Sequence, residues 1–171
     1  AALLTAKPIL YVCNVEENSS ATGNSHSEKV IEMAGSQDAG VVIISAQIEE
    51  EISQLEADEA LMFLEEMNLS EAGLDRLIRA GYDLLNLETY FTAGPKETRA
   101  WTINKGTKAP VAAGVIHGDF EKGFIRAETI SYDDYISFEG ENGAKDAGKM
   151  RVEGKAYIVK DGDVMHFLFN T

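Results

Sequence analysis

Two uninterrupted apolar runs, PILYVC at Pro8 to Cys13 and VVIIS at Val41 to Ser45, constrain this chain more than any other feature. Both are short, rich in β-branched residues and without polar alternation, so they read as strands covered on two faces, the habit of a parallel sheet. Between them lies a polar loop, Asn18 to Asn24. Ser25 and Glu28 then carry the S-x-x-E spacing of a capping box, and a helix runs to about Ala34 before Gly35 to Gly40 breaks it. Strand, helix, strand at this spacing predicts a βαβ unit with a right-handed crossover.

The next stretch is helical. EEEISQLEADEALMFLEEM sets Ile52, Leu55, Leu61, Phe63, Leu64 and Met67 among acids, and Ser70 is placed to cap a further helix carrying Leu74, Leu77, Ile78, Leu84 and Leu85. Glu49 to Glu51 read as a solvated face, because consecutive helical residues diverge and offer no convergent oxygen set for a metal. At Glu88 the hydrophobic period falls from 3.6 to 2. LETYFTAG and ETRAWTIN, joined by Gly94-Pro95, predict a hairpin. Ala109 to His117 predicts a short helix with Pro110 in its first turn. GFIRAETI follows as a strand, then a helical or irregular stretch to Met150, then closing strands KAYIVKDG and DVMHFLFN around Asp161-Gly162. Strands with one helix across them form the β-grasp pattern. The chain thus divides into residues 1–87, an α/β unit with a helical connector, and residues 88–171, an α+β unit.

Charge divides at the same place. Residues 1–87 hold 4 Lys/Arg against 16 Asp/Glu, and residues 88–171 hold 11 against 13. The net charge of −14 argues against nonspecific nucleic-acid binding by the whole chain. Within Ala93 to Arg126 the balance reverses, through Lys96, Arg99, Lys105, Lys108, Lys122 and Arg126. These six are the candidate contacts for RNA phosphates. The aromatics among them, Phe91, Trp101, Phe120 and Phe124, are expected to pack as core, given how much area each buries. A hydrophobic fraction of 44% with 26% charged residues fits a globular chain. No apolar run reaches the roughly 18 residues of a membrane span, and the N-terminus lacks the features of a signal peptide, so the expected location is cytoplasmic. The single cysteine, Cys13, excludes an internal disulfide and reads as a small buried hydrophobe.

Chemistry concentrates where the apolar runs end. Ligands of open α/β sheets bind at the carboxyl ends of the strands. Asn14 and Glu17 follow the first run, and Ser45 and Ala46 end the second, so the two loops are placed to grip one flat base between them. His117 and His166 have no Ser, Cys or metal-ligand partner at a recognised spacing and read as structural or surface residues, His166 among apolar neighbours.

Four segments carry a family resemblance: NVEE at Asn14 to Glu17, SAQIEEEI at Ser45 to Ile52, EAGLDRLIRA at Glu71 to Ala80, and TYFTAGPKETRAWTINKGTKAPVAAGVIHGDFEKGFIRAE at Thr89 to Glu128. Across essentially its whole length the chain resembles the C-terminal half of the YchF or Obg-like ATPase family, within the P-loop GTPase superfamily. The resemblance implies the end of a G domain followed by a ubiquitin-like β-grasp TGS domain. Related GTPases read guanine with N-K-x-D, and the family carries N-x-x-E. A carboxylate fixed to accept from guanine N1-H and N2-H would repel the N1 acceptor of adenine, and moving it removes that selection. The resemblance therefore implies a preference for ATP, with GTP also accepted, and places Asn14, the Val15 backbone, Glu17, Ser45 and Ala46 around the base.

It also implies what the intact family member does. That protein hydrolyses ATP with Mg²⁺ and associates with the ribosome, through the large subunit or ribosomal RNA, with neither DNA nor membrane as partner. This chain has no G-x-x-x-x-G-K-[ST] loop and no D-x-x-G, and it begins at Ala1. It is accordingly expected to be a fragment that holds no catalytic or metal-binding residue, binds ATP and Mg²⁺ weakly if at all, and turns over no ATP. Sheet edges exposed by such a cut favour non-native self-association or disorder in residues 1–50. The other reading is a freestanding TGS-type module that binds RNA or the ribosome without enzymatic activity.

Overall fold

In the computed structural model, which describes residues 3–170, the two apolar runs become β1 (Leu10–Asn14) and β2 (Gly40–Ile44). They pair in parallel with Asn14 opposite Ile44, and α1 (Ser25–Ser36) makes the crossover. The cap of α1 lies one residue earlier than the sequence suggests. Asn24 is the N-cap: its Oδ1 accepts from the N–H groups of His26 and Ser27, and its own N–H donates to the Ser27 hydroxyl at 2.8 Å. Asn caps as well as Ser does, and the buried Ser27 completes the box expected of Glu28.

α2 (Ala46–Ile52), α3 (Ala57–Glu66) and α4 (Gly73–Leu84) follow. Ile48, Leu64 and Leu69 make a small core with Ile52, Phe63 and Met67 against it. α3 and α4 each end at an Asn in the left-handed region, Asn68 and Asn86, both at φ +55°, which Asn tolerates better than other non-glycine residues. Ser70 does not cap α4. Instead the Glu49 carboxylate reaches from α2 to accept from Gly73 N–H at 2.7 Å and Leu74 N–H at 3.0 Å. Glu49 is therefore not part of a merely solvated face. Arg76 of α4 donates through Nη2 to the Ile43 carbonyl at 3.0 Å, tying α4 to the end of β2.

The strands are less enclosed than their composition suggests. Among the described residues the sheet of this unit has two strands, with α1 and α4 in contact with both. That leaves Val12 44% exposed and Cys13 only half-buried. A continuous apolar run records what a strand tolerates on both faces, not how many layers are present to cover it.

Contacts divide the chain into two units between Leu85 and Asn86, two residues before the boundary read from sequence. The second unit opens with β3 (Leu87–Ala93) and β4 (Thr98–Asn104), an antiparallel hairpin in which Tyr90 faces Trp101. α5 (Ala109–Ile116), with Pro110 in its first turn, and α6 (Gly118–Lys122) come next. β5 (Phe124–Ser131), α7 (Tyr132–Ser137), α8 (Glu141–Asp146), β6 (Arg151–Glu153) and β7 (Asp163–Phe169) complete it. The sheet order is β4-β3-β7-β5-β6, with β7 parallel to β3 and antiparallel to β5. A mixed sheet with its last strand in the middle and α5 on one face is a β-grasp. Its core joins Tyr90, Ile103, Phe124, Met165 and Phe167 to the alanines of α5.

One expected strand is absent. KAYIVKDG forms no ladder: a single bridge joins Ile158 to Lys108, and β6 lies earlier, at Arg151–Glu153. Asp163, 2% exposed, explains the change. Its carboxylate accepts from Arg151 Nη2 at 3.1 Å, the Tyr157 hydroxyl at 2.6 Å and Lys160 N–H at 3.0 Å, which folds residues 154–162 into an irregular loop around it.

Candidate functional site

The parallel register of β1 and β2 sets Asn14 beside Ile44 and so brings the two strand-end loops together. Asn14 joins them directly, its Oδ1 accepting from Ala46 N–H at 2.9 Å. Val15 N–H donates to the Ile44 carbonyl at 2.9 Å, and Val15 is buried. The backbone group left to a ligand at Val15 is therefore its carbonyl. Ser45 is 2% exposed and occupies the N-cap of α2, yet its hydroxyl makes no capping bond and has no partner among the described residues. A buried hydroxyl without a partner costs roughly 1–3 kcal/mol, and Thr129 in the other unit carries the same cost.

The two glutamates of NVEE have different tasks. Glu16 is a brace: Ser19 Oγ donates to its Oε1 at 2.7 Å and Asn24 Nδ2 to its Oε2 at 2.9 Å. Its own backbone N–H, then these two donors, hold its carboxyl below the usual range. Glu17 opens a single 3-10 turn, Glu17–Ser19, and is half-buried, with no donor on its carboxylate among the described residues. An open cleft of about 450 Å³ runs along Asn14, Val15 and Glu16 to Asn24 and His26.

Of the residues expected around a base, Asn14 and Val15 line this cleft, whereas Glu17, Ser45 and Ala46 do not, and Ala46 borders a separate depression with Gln47, Glu50, Glu51 and Gln54. For phosphate there is no counterpart among the described residues. Gly143 to Lys149 repeats the G-x-x-x-x-G-K spacing, but Met150 follows it and the stretch begins inside α8 of the other unit and runs past its end.

The cations expected to meet RNA do not converge. Lys96 lies in the β3–β4 turn and Lys105 beyond the far end of β4, about 20 Å apart on the usual strand rise. Arg99 covers the Trp101 ring at 4.1 Å on the face that packs toward α5. Arg126 alternates with the buried Ala127 and pairs across from Leu168, on the opposite face. Lys108 precedes α5, and Lys122 lies 4.0 Å from Asp119. Among the aromatics, Phe124 is in the core, Trp101 and Phe120 pack on it, and Phe91 sits against Tyr132 on the other face.

His117 is structural: its Nδ1 accepts from Asp119 N–H at 3.2 Å and caps α6. His166 is exposed on β7, not enclosed by apolar neighbours, and stands beside Glu128 and Glu141. Sequence spacing could not signal that trio, since strand pairing unites His166 with Glu128 and the placement of α8 brings Glu141 to them.

Residues 87–170 match the family model YchF-GTPase_C, described as "Protein of unknown function (DUF933)". The chain is 57% identical over 170 residues to the "Ribosome-binding ATPase YchF" of Bacillus subtilis, covering 98% of this chain and 46% of that protein. It is 47% identical to "Obg-like ATPase 1" of Rattus norvegicus, covering 99% of this chain and 43% of that protein. The solved Schizosaccharomyces pombe YchF GTPase superposes with a TM-score of 0.77 at 38% identity, covering 97% of this chain and 44% of that one. A GTP-binding protein of Pyrococcus horikoshii shares the fold, with a TM-score of 0.63 at 17% identity, covering 96% of this chain and 46% of that one. The chain spans just under half the length of the curated relatives it matches. It belongs to the YchF / Obg-like ATPase family, and combines an α/β portion of a P-loop G domain with a β-grasp TGS domain.

Proposed function

We propose that this chain supplies the base-reading and TGS portions of a ribosome-associated ATPase. The observation that carries the reading is the Asn14–Ala46 hydrogen bond, which fastens N-V-E-E to Ser45-Ala46 and sets the two loops side by side. Adenine offers an N6 donor, complementary to the Val15 carbonyl, while Glu17, Ser45 and Ala46 border the proposed site. When ATP is bound, Mg²⁺ accompanies its phosphates and supplies the charge neutralisation for hydrolysis. Residues 1–87 would hold the base and residues 88–171 would carry the TGS partner surface. Ribosome association comes from the names of the relatives, and the location proposed with it is the cytoplasm.

The chain itself can be tested. Titrating adenosine into isotope-labelled protein should shift the Ala46 and Val15 amide signals and the Asn14 side-chain amide, with weaker effects from guanosine. Asn14→Ala should abolish the pattern. An unmoved Ala46 signal at millimolar adenosine would sink the base-site reading. ATP turnover by this chain is expected to be nil, and measurable turnover would overturn that expectation.

The second reading is a TGS-type module that binds RNA or the ribosome without a nucleotide. It is favoured by the exposure of Lys105, Lys108 and Lys122, and disfavoured by the scatter of the six cations over both faces of the sheet. Reversing the three charges together should lower ribosome co-sedimentation if the contact is electrostatic. The unpaired edges of β1 and β2 further support self-association of the chain at high concentration.

A further inference from the structure

On the face of the β-grasp sheet away from α5, antiparallel pairing sets His166 of β7 directly opposite Glu128 of β5. The first residue of α8, Glu141, approaches both, so that one ligand atom from each of the three lies within 4.8 Å of the others. All three border one small recess of this face, with Tyr135 and Met150.

Apart from Glu88, whose buried Oε1 has no partner among the described residues, the rest of the unit gives its half-buried and buried carboxylates a partner. Asp134 has Ser131 and Lys149, Glu153 has Arg151, and Asp163 has Arg151 and Tyr157. Among the described residues Glu128 and Glu141 have neither a cation nor a donor, and face each other across an imidazole. Two carboxylates converging this closely repel each other unless positive charge lies between them.

We propose that Glu128, Glu141 and His166 bind a divalent first-row transition ion, Zn²⁺ among the available ones. One imidazole nitrogen and two carboxylate oxygens form a borderline N/O set suited to such ions, and too poor in oxygen for Ca²⁺. Zn²⁺ bonds of about 2.0–2.2 Å place tetrahedral donors about 3.4 Å apart, so each ligand atom must close by roughly 1 Å. Rotation of the exposed His166 and of two flexible glutamates supplies that movement without shifting the backbone. Three protein ligands leave the fourth position to water. The bound ion ties α8 to β5 and β7, and so stiffens this face independently of any nucleotide.

The test is calorimetric titration of Zn²⁺ into metal-free protein, with the thermal midpoint followed in parallel. One equivalent should bind with a dissociation constant on the order of micromolar, and Zn²⁺ should raise the midpoint. His166→Asn and Glu128→Gln should each weaken binding at least about tenfold and remove the thermal gain, while their metal-free midpoints stay at the parent value. Glu141→Gln provides the same readout from outside the sheet should a strand variant misfold. His117→Ala removes the histidine–carboxylate pair with Asp119 and should leave Zn²⁺ binding unchanged. Absence of saturable binding below about 100 μM would overturn the proposal, as would binding lost in His117→Ala but retained in His166→Asn.

Discussion

The Glu49 carboxylate and the Gly73 backbone N–H meet at 2.7 Å, so a side chain of α2 caps the start of α4 across 24 positions of sequence. Leu74 N–H shares the same carboxylate. Glu49→Ala leaves two first-turn N–H groups without a protein partner and should cost about 1–2 kcal/mol in urea unfolding, the range of a lost cap.

Gly73 is needed for the same approach. A Cβ there would stand 2.8 Å from Glu49 Oε1 and 3.0 Å from Ile44 Cγ2. The Gly73→Ala protein gains helix propensity but must displace the capping carboxylate. Net destabilisation of about 1 kcal/mol is expected, and an increase in stability would show that Glu49 moves at no cost.

Asn14→Ala removes the bond that fixes Ala46. Because Asn14 is exposed, water replaces much of it, and stability should fall by no more than about 1 kcal/mol. Hydrogen exchange should read the change more clearly, as faster exchange confined to the Ala46 amide.

Alkaline pH should unfold the β-grasp unit. Burial raises the Tyr90 hydroxyl above its ordinary 10.0, and burial with the Asp163 hydrogen bond raises Tyr157 likewise. A pKa raised on folding means that the folded state holds the proton more tightly. The resulting stability is complete below pH about 10 and is lost as pH rises beyond it. Absorbance titration should show these two tyrosines ionising late and together with unfolding. Tyr90→Phe, which also removes the 2.9 Å bond to the Ala112 carbonyl, should cost about 1 kcal/mol at neutral pH.

Asp163→Asn weakens three contacts at once and leaves Arg151 without its buried counter-charge. A loss of about 2–3 kcal/mol is expected in denaturant unfolding, less than for a fully buried pair because Arg151 is partly exposed. Tyr157→Phe removes one hydroxyl from the same network and should cost about half as much.

Elements with local signatures were legible in the sequence. The two apolar runs, the Gly94-Pro95 hairpin and the Pro110 helix start all reflect neighbours in the chain. Asn14 and Ser45 were legible as strand-end residues, although nothing local shows that one bonds the loop of the other. What escaped depends on distant partners. Glu49 reads as one acid among three until Gly73 is beside it. KAYIVK reads as a strand until Asp163 gathers Arg151, Tyr157 and Lys160. His166 gains Glu128 only through the β5–β7 register, and Glu141 only through the placement of α8.

The placement of β7 between β3 and β5 has a temporal consequence. During synthesis β3 and β4 emerge early and can form their hairpin at once, whereas β5 lacks its central neighbour until residues 163–169 have been made. Loop closure over that length must precede the contacts that reward it, so the unit should fold late and in one step. Until then the nascent chain presents two separate strand edges, and a stall just before Asp163 would leave a β-grasp without its keystone.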